Sequence, residues 1–222
     1  MAAHSSSPAL GRNAIVAALE RIEASDAPGV SALEGGSAVN VVPDRCELAL
    51  GAGGYDKAPL VAFLHAWRRF QAALALRSDP RFDPASTVAS LGKVALADGA
   101  AVFRFDVRPI GGDEPECLLA RLRGAAEISC VRANPPLDLP RDAALVRAVL
   151  EAQREVGLPE RAATKATCTE AGLIASTGLE AVVLGAGLSV GNVHKPNEHT
   201  RISELHRAVE LYAALIGRLA CS

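Results

Sequence analysis

The sequence predicts an α/β protein, with an antiparallel sheet carrying helices on one face over about residues 1–133 and a βα segment over about 134–222. Three observations point there. Phe103, Phe105 and Val107 alternate with Arg104, Asp106 and Arg108, the period of a half-buried strand. Leu60, Phe63, Leu64, Trp67, Phe70 and Leu74 recur at helical spacing. Beyond Asn134-Pro135-Pro136, a linker signal, the pattern shifts to a wholly apolar run, Ala181-Val182-Val183-Leu184, of the kind found in strands buried on both faces.

Taken in order, Ser7-Pro8 offers an N-cap with proline at the first helical position, and Ile15, Leu19 and Ile22 continue at helical spacing, which predicts a helix over about 8–24. Between Val30 and Leu50 the glycine pair, the Pro-Asp step and the alternation of Cys46, Leu48 and Leu50 predict a hairpin. The stripe holding the single tryptophan gives a second helix with its apolar side toward a core. Thr87–Leu96 and Ala101–Pro109 read as two strands joined at Asp98-Gly99, a strong hairpin signal. A short helix over about 114–126 and a strand near Ile128–Val131 complete the first part. In the second part Leu145, Val149, Ala152 and Val156 mark one helix, and Ile202, Leu205, Val209, Tyr212 and Leu215 or Ile216 mark the last. The loop between them follows the apolar run, at the end of a strand where ligands of open α/β sheets sit.

Composition removes several classes of function. With 23 Lys and Arg against 25 Asp and Glu, and no basic run, the chain lacks the electrostatic footprint of a nucleic-acid binder. A sheet that binds RNA also needs exposed aromatics for stacking, and the polar side of the 101–109 strand offers Arg104, Asp106 and Arg108 instead. No apolar stretch approaches the roughly 20 residues of a membrane span, and no signal pattern opens the chain, so a cytoplasmic protein is expected. Five cysteines without a close CxxC pair argue against a disulfide framework and against a thiolate metal site.

A few side chains are candidates for chemistry. His194 follows the apolar run and a glycine loop, a position from which an imidazole can ligate a metal, with Glu198 near enough to orient it. His199 and His206 lack such a setting and read as solvated. Arg108 can fork onto a carboxylate through two parallel hydrogen bonds, or form a surface cross-strand pair with an acid. His4 taken alone carries no signal.

Together these pieces resemble one family. Ala3-His4-Ser5-Ser6-Ser7-Pro8 with Gly11-Arg12-Asn13-Ala14-Ile15, then Gly35-Gly36 and Asn40-Val41-Val42-Pro43-Asp44, then Phe105-Asp106-Val107-Arg108, are similar to the lid, or dimerisation, domain of the acetylornithine deacetylase, succinyl-diaminopimelate desuccinylase and glutamate carboxypeptidase family. Cys168-Thr169-Glu170-Ala171-Gly172, Gly185-Ala186-Gly187 and His194-Lys195-Pro196-Asn197-Glu198 are similar to the end of its catalytic domain. The resemblance implies a lid at about 1–133, then the C-terminal βα part of a zinc-peptidase catalytic domain at about 134–222. The segment at about 55–96 is longer than the usual lid connection and reads as an inserted helix and strand.

The resemblance also assigns roles. His194 matches the C-terminal zinc ligand, and His4 the lid histidine that polarises the scissile carbonyl in the partner subunit's site. Asn40 and Arg108 match substrate-holding residues, with Arg108 on the carboxylate; Thr169 and Glu170 match a loop near the metals that more often reads Thr or Ser followed by Asp. The implied reaction is hydrolysis of an amide in an N-acyl amino acid or small peptide by water held between two zinc ions, in a homodimer formed through the lid. The family's His-x-Asp pair, bridging aspartate and adjacent glutamates precede the lid, and this chain has neither a His-x-Asp nor two adjacent glutamates. The chain is therefore expected to be the C-terminal portion, inactive alone, completed by a separate N-terminal half. The alternative is a non-catalytic dimerisation or binding module that kept the lid.

Overall fold

The computed structural model describes residues 3–5, 8–110, 113–164, 169–188, 192–193 and 197–220, and they form two compact units that part between Cys130 and Val131. Among the described residues no helix is long and apolar enough to cross a membrane.

In the first unit the chain opens with β1 (Ala3–His4) and a single 3-10 turn at Pro8–Leu10. Helix α1 (Ala14–Glu23) follows. It starts six residues later than the Ser7-Pro8 signal predicts. The cap is Asn13, whose side-chain oxygen accepts from the amides of Ile15 and Val16 at 3.0 and 3.2 Å. The amide group of the same side chain donates to the Leu91 carbonyl at 2.7 Å and reaches Ser90 Oγ at 3.4 Å. One residue therefore satisfies the helix start and fastens it to the sheet; the predicted cap, Ser7, lies outside the described residues.

The sheet is built from β2 (Gly29–Gly35), β4 (Cys46–Gly51), β6 (Val88–Ala97) and β7 (Ala100–Arg108) in the order β4-β2-β6-β7, all antiparallel. A short β5 (Tyr55–Asp56) joins β2, and β3 (Val41–Val42) pairs instead with β1. Both predicted hairpins are present. At Asp98-Gly99 both residues have positive φ, 51° and 75°, so the two-residue turn twists with its strands and pairs Ala97 with Ala100.

Helix α2 (Lys57–Leu74) lays its predicted stripe on the sheet, with Trp67, Phe70, Leu60 and Leu64 almost wholly enclosed beside Ile15, Leu19 and Ile22 of α1. Phe63 stacks on Phe103 with centroids 4.0 Å apart, and Trp67 meets Phe105 edge-on at 5.5 Å. The Trp67 Nε1 has no hydrogen-bond partner. That omission costs about 1–3 kcal/mol, whereas enclosing an indole of roughly 200 Å² contributes about 5 kcal/mol, so packing decides the position.

After β7 the prediction holds less well. The expected helix over 114–126 is only α3 (Pro115–Leu119), followed by turns in which the Leu122 amide bonds to the Leu119 carbonyl at 3.0 Å and Ala125 to Leu122 at 2.9 Å. The tighter winding brings Leu122 into the core, fully buried. No strand forms at 128–131, where Ile128 packs on the first unit's core and Val131 is 90% exposed. A β-branched pair without a neighbouring strand has no ladder to join.

The second unit contains α4 (Ala144–Glu155), α5 (Ala171–Ala175) and α6 (Ile202–Ala220). Its core is small: Val149 and Ala152 of α4 against Leu211 and Leu215 of α6, flanked by Val182 and Leu184. Arg218 clamps the two helices with hydrogen bonds of 2.8 Å to Glu151 and to Glu155. The predicted strand at Ala181–Leu184 is absent, and Val183 is 62% exposed, because the described residues of this unit include no strand to pair with it. Of the stripe that marked α6 in the sequence only Leu215 is on its packed side. Ile202, Leu205, Val209, Tyr212 and Ile216 face outward, and the buried face is the one through Leu211 and Leu215.

The Asn13 arrangement gives a direct test. Asn13→Ala lowers the stability of the first unit by about 1–2 kcal/mol, the cost of a lost cap, while Ser7→Ala changes it by less than about 0.5 kcal/mol. Denaturant titration followed by the fluorescence of Trp67, the single tryptophan and a reporter of that unit alone, measures both.

Candidate functional site

The outer face of the sheet, opposite α1 and α2, gathers most of the candidates in the first unit. Because Phe103, Phe105 and Val107 of β7 are drawn to the core, alternation turns Arg104, Asp106 and Arg108 outward. This face is only partly open. The loop 36–40 crosses it so closely that a Cβ on Gly36 would lie 1.8 Å from the Gly92 carbonyl oxygen, and one on Gly92 would lie 2.2 Å from the Val39 carbonyl oxygen. Two glycines are needed where the backbones cross, and the crossing puts a bulge in β6 between Leu91 and Lys93.

The same loop carries Asn40, exposed, and leads into β3, whose Val41 pairs with His4 of β1. The His4 backbone is thereby placed; its side chain lies outside what the structure describes. Ser5 ties this edge down. Its amide donates to the Asn40 carbonyl at 3.1 Å, and its hydroxyl, almost fully buried, donates to Asp106 Oδ2 at 2.5 Å. Arg108 donates through Nε to the same Asp106 oxygen at 2.7 Å, and its side chain is 11% exposed. Asn40, the His4 backbone and Arg108 thus meet through Ser5 and Asp106. Arg108 is on the predicted face, and the acid it pairs with is two residues away on its own strand, not across strands as the surface-pair alternative has it.

Ser5 and Asp106 carry no role in the sequence reading. The signal for Asp106 is its place between two arginines on one strand face; for Ser5 there is no local signal, since its partner is 101 residues away.

Of the predicted residues in the second unit, Thr169 is half-buried and its hydroxyl accepts from the Ala171 amide at 3.0 Å, opening α5. Glu170 is exposed and lies 3.8 Å from Arg132. His194 lies outside the described residues. Asn192, two residues before it, donates from its side chain to the Leu188 carbonyl at 3.1 Å and the His199 carbonyl at 2.8 Å. His199 and His206 are exposed, and His199 Nδ1 is 2.8 Å from the Asn197 carbonyl. Among the described residues no three His, Cys, Asp or Glu side chains come together to hold a metal, so these residues do not make a zinc site.

Displaced titrations occur elsewhere on the first unit. Hydrogen bonds from His65 and Arg68 hold the Glu23 carboxyl below its usual range, Arg81 holds Asp79 at about 2, and burial pushes the Cys46 thiol up to about 11. Each is accounted for by its immediate neighbours. A cleft of about 430 Å³ opens beside Pro8, Arg12, Asn13 and Ser90, but Asn13 is spent on α1 and β6 and none of the predicted site residues lines it.

A family model described as peptidase family M20/M25/M40 matches residues 6–218. No curated protein matches the chain.

The role of Asp106 as the tether of this edge is open to measurement. In Asp106→Ala the Ser5 amide exchanges with solvent about tenfold faster, the equivalent of roughly 1.4 kcal/mol for a hydrogen bond to a charged group, while amides in the middle of β6 keep their protection. Unchanged exchange at Ser5 shows that β1 is held by its backbone pairing with β3 alone.

Proposed function

We propose that this chain, which belongs to peptidase family M20/M25/M40, is the substrate-holding and dimer-forming portion of a zinc-dependent amidohydrolase that deacylates N-acyl amino acids, in the manner of acetylornithine deacetylase, or cleaves small peptides. The observation that carries the reading is the match over residues 6–218. The outer face of the first unit supports it: Ser5 and Asp106 hold the backbone of His4 and Asn40 beside a fixed Arg108.

In this reading the first unit is the lid. Arg108, its guanidinium oriented by Asp106, meets the substrate carboxylate, and Asn40 helps to hold the substrate. His4 reaches the site of a second copy and polarises the scissile carbonyl. His194 contributes one zinc ligand, and Thr169 and Glu170 line the approach to it. The His-x-Asp and paired glutamates that a dizinc site requires are not among the 222 residues, so zinc chemistry belongs to an assembly with an N-terminal half. The three described cysteines are free thiols, which accords with a reducing, cytoplasmic setting.

The missing ligand motifs also favour a second reading, a dimerisation or binding module without catalysis. Complementation separates the two. Co-expressed with an N-terminal half carrying those motifs, the chain restores hydrolysis of an N-acetyl amino acid if the enzyme reading holds. In that complex His194→Ala lowers both zinc content and turnover, His4→Ala lowers turnover with zinc retained, and Arg108→Ala weakens binding by about 1.5–3 kcal/mol. Zinc analysis of each variant alongside the assay reads these outcomes, and retention of zinc and activity in His194→Ala removes the ligand assignment. The chain by itself, after dialysis, holds fewer than two zinc equivalents by elemental analysis.

Self-association is expected through the sheet edge. Strand β7 ends the sheet order with nine residues and no further strand beside it among those described, a natural pairing surface. Light scattering of the purified chain gives a discrete dimer whose mass is constant over tens of micromolar; a clean monomer rules the lid dimer out.

A further inference from the structure

We propose that Lys93 and Arg104, directly opposite each other on the outer face of the β6–β7 hairpin, form a carboxylate-binding pair, so that the substrate is an N-acyl amino acid with a second carboxylate. The identity of the substrate rests on the function proposed above; the binding pair does not.

The register places the two cations. On either side of them, Leu91 pairs with Phe105 and Val94 with Phe103, and these point to the core, so Lys93 and Arg104 point away from it. Lys93 is half-buried and Arg104 is exposed. Like charges directly opposite on a sheet repel, and a protein ordinarily relieves this with an acid on a neighbouring position. Here the acids are otherwise placed. Asp106 already accepts from Ser5 and Arg108. Glu34 stands opposite Ala95, diagonal to Lys93, and forms no ion pair with it; Glu47 beside it is bound to Arg45 at 2.6 Å. Among the described residues neither Lys93 nor Arg104 has an ion-pair or side-chain hydrogen-bond partner.

A carboxylate between them turns the repulsion into two attractions, one oxygen toward the guanidinium fork and one toward the ammonium. Next along the hairpin Ala95 faces Val102, which is 46% exposed, giving aliphatic ground beside the charges. Arg104 and Arg108 are four residues apart on one strand, roughly 13 Å at the rise of an antiparallel strand. That separation is too long for both to grip one carboxylate, and it suits two anionic groups on one small molecule. Exposed charge pairs contribute little each, so the expected preference is modest, about fivefold.

The test is titration of the 222-residue chain with N-acetylglutamate and with its neutral isostere N-acetylglutamine, followed by the backbone NMR shifts of Lys93 and Arg104. N-acetylglutamate binds about fivefold more tightly, the difference disappears in the Lys93→Ala, Arg104→Ala double variant, and Lys93→Arg retains it. Trp67 fluorescence verifies that each variant is folded. Equal affinity for the two compounds, no measurable binding of N-acetylglutamate, or a preference that survives the double variant overturns the proposal. Inorganic phosphate binding the same pair more tightly than N-acetylglutamate also overturns it, in favour of a phosphate site. Failure of the reconstituted enzyme to hydrolyse N-acyl amino acids bears on the function alone and is read in a separate assay.

Discussion

The stacking of α2 on β7 is the contact on which the first unit depends. Phe63 on Phe103 and Trp67 against Phe105 commit one face of β7 to the interior. A strand has only two faces, and a slip of one residue exchanges them, so this aromatic contact fixes the register of everything that points the other way. Asp106, Arg108, Arg104 and Lys93 are outward because three aromatic rings and an indole are inward. The candidate face is a by-product of core packing.

What the core leaves outward is then organised by polar contacts of long sequence separation. Asn13 binds the start of α1 to the β6 bulge, and Ser5 binds the first strand to Asp106. Both use small side chains whose hydrogen-bonding capacity is filled by groups about 80 to 100 residues away. Their combined effect is to bring the 3–5 segment and the 36–42 segment onto the outer face of a hairpin formed much later in the chain. A substrate-holding surface needs such convergence, because positioning demands groups from several elements held by a rigid frame.

The second unit shows the same rule by its failure to close. Four residues, Val149, Ala152, Leu211 and Leu215, make its buried centre, and a longer row of apolar side chains on α6 stays outside it. A helix apolar on two sides belongs in an interior with neighbours on both. The run Ala181–Leu184 has the composition of a doubly buried strand, yet only Ala181 is buried, Val182 and Leu184 lie against the small core and Val183 is exposed.

Local pattern alone determined the elements whose stabilising contacts are themselves local: the Asp98-Gly99 hairpin, where the turn residues dictate the twist; α2 and α6, where helical spacing is unambiguous; and the polar alternation of β7. The order of its motifs also marked the family. Tertiary structure decided the rest. Asn13 is the cap of α1 and is also bound to Leu91, 78 residues on, a contact that no local window contains. Leu122 was wound into a tight turn because the core had room for it, and 128–131 and 181–184 formed no strand because a strand is defined by a partner that no short window contains. Which side of α6 is buried, and which cations on β7 find an acid, are likewise properties of neighbours. A sequence specifies what each segment can do locally; the contacts between distant segments select which of those capacities is used.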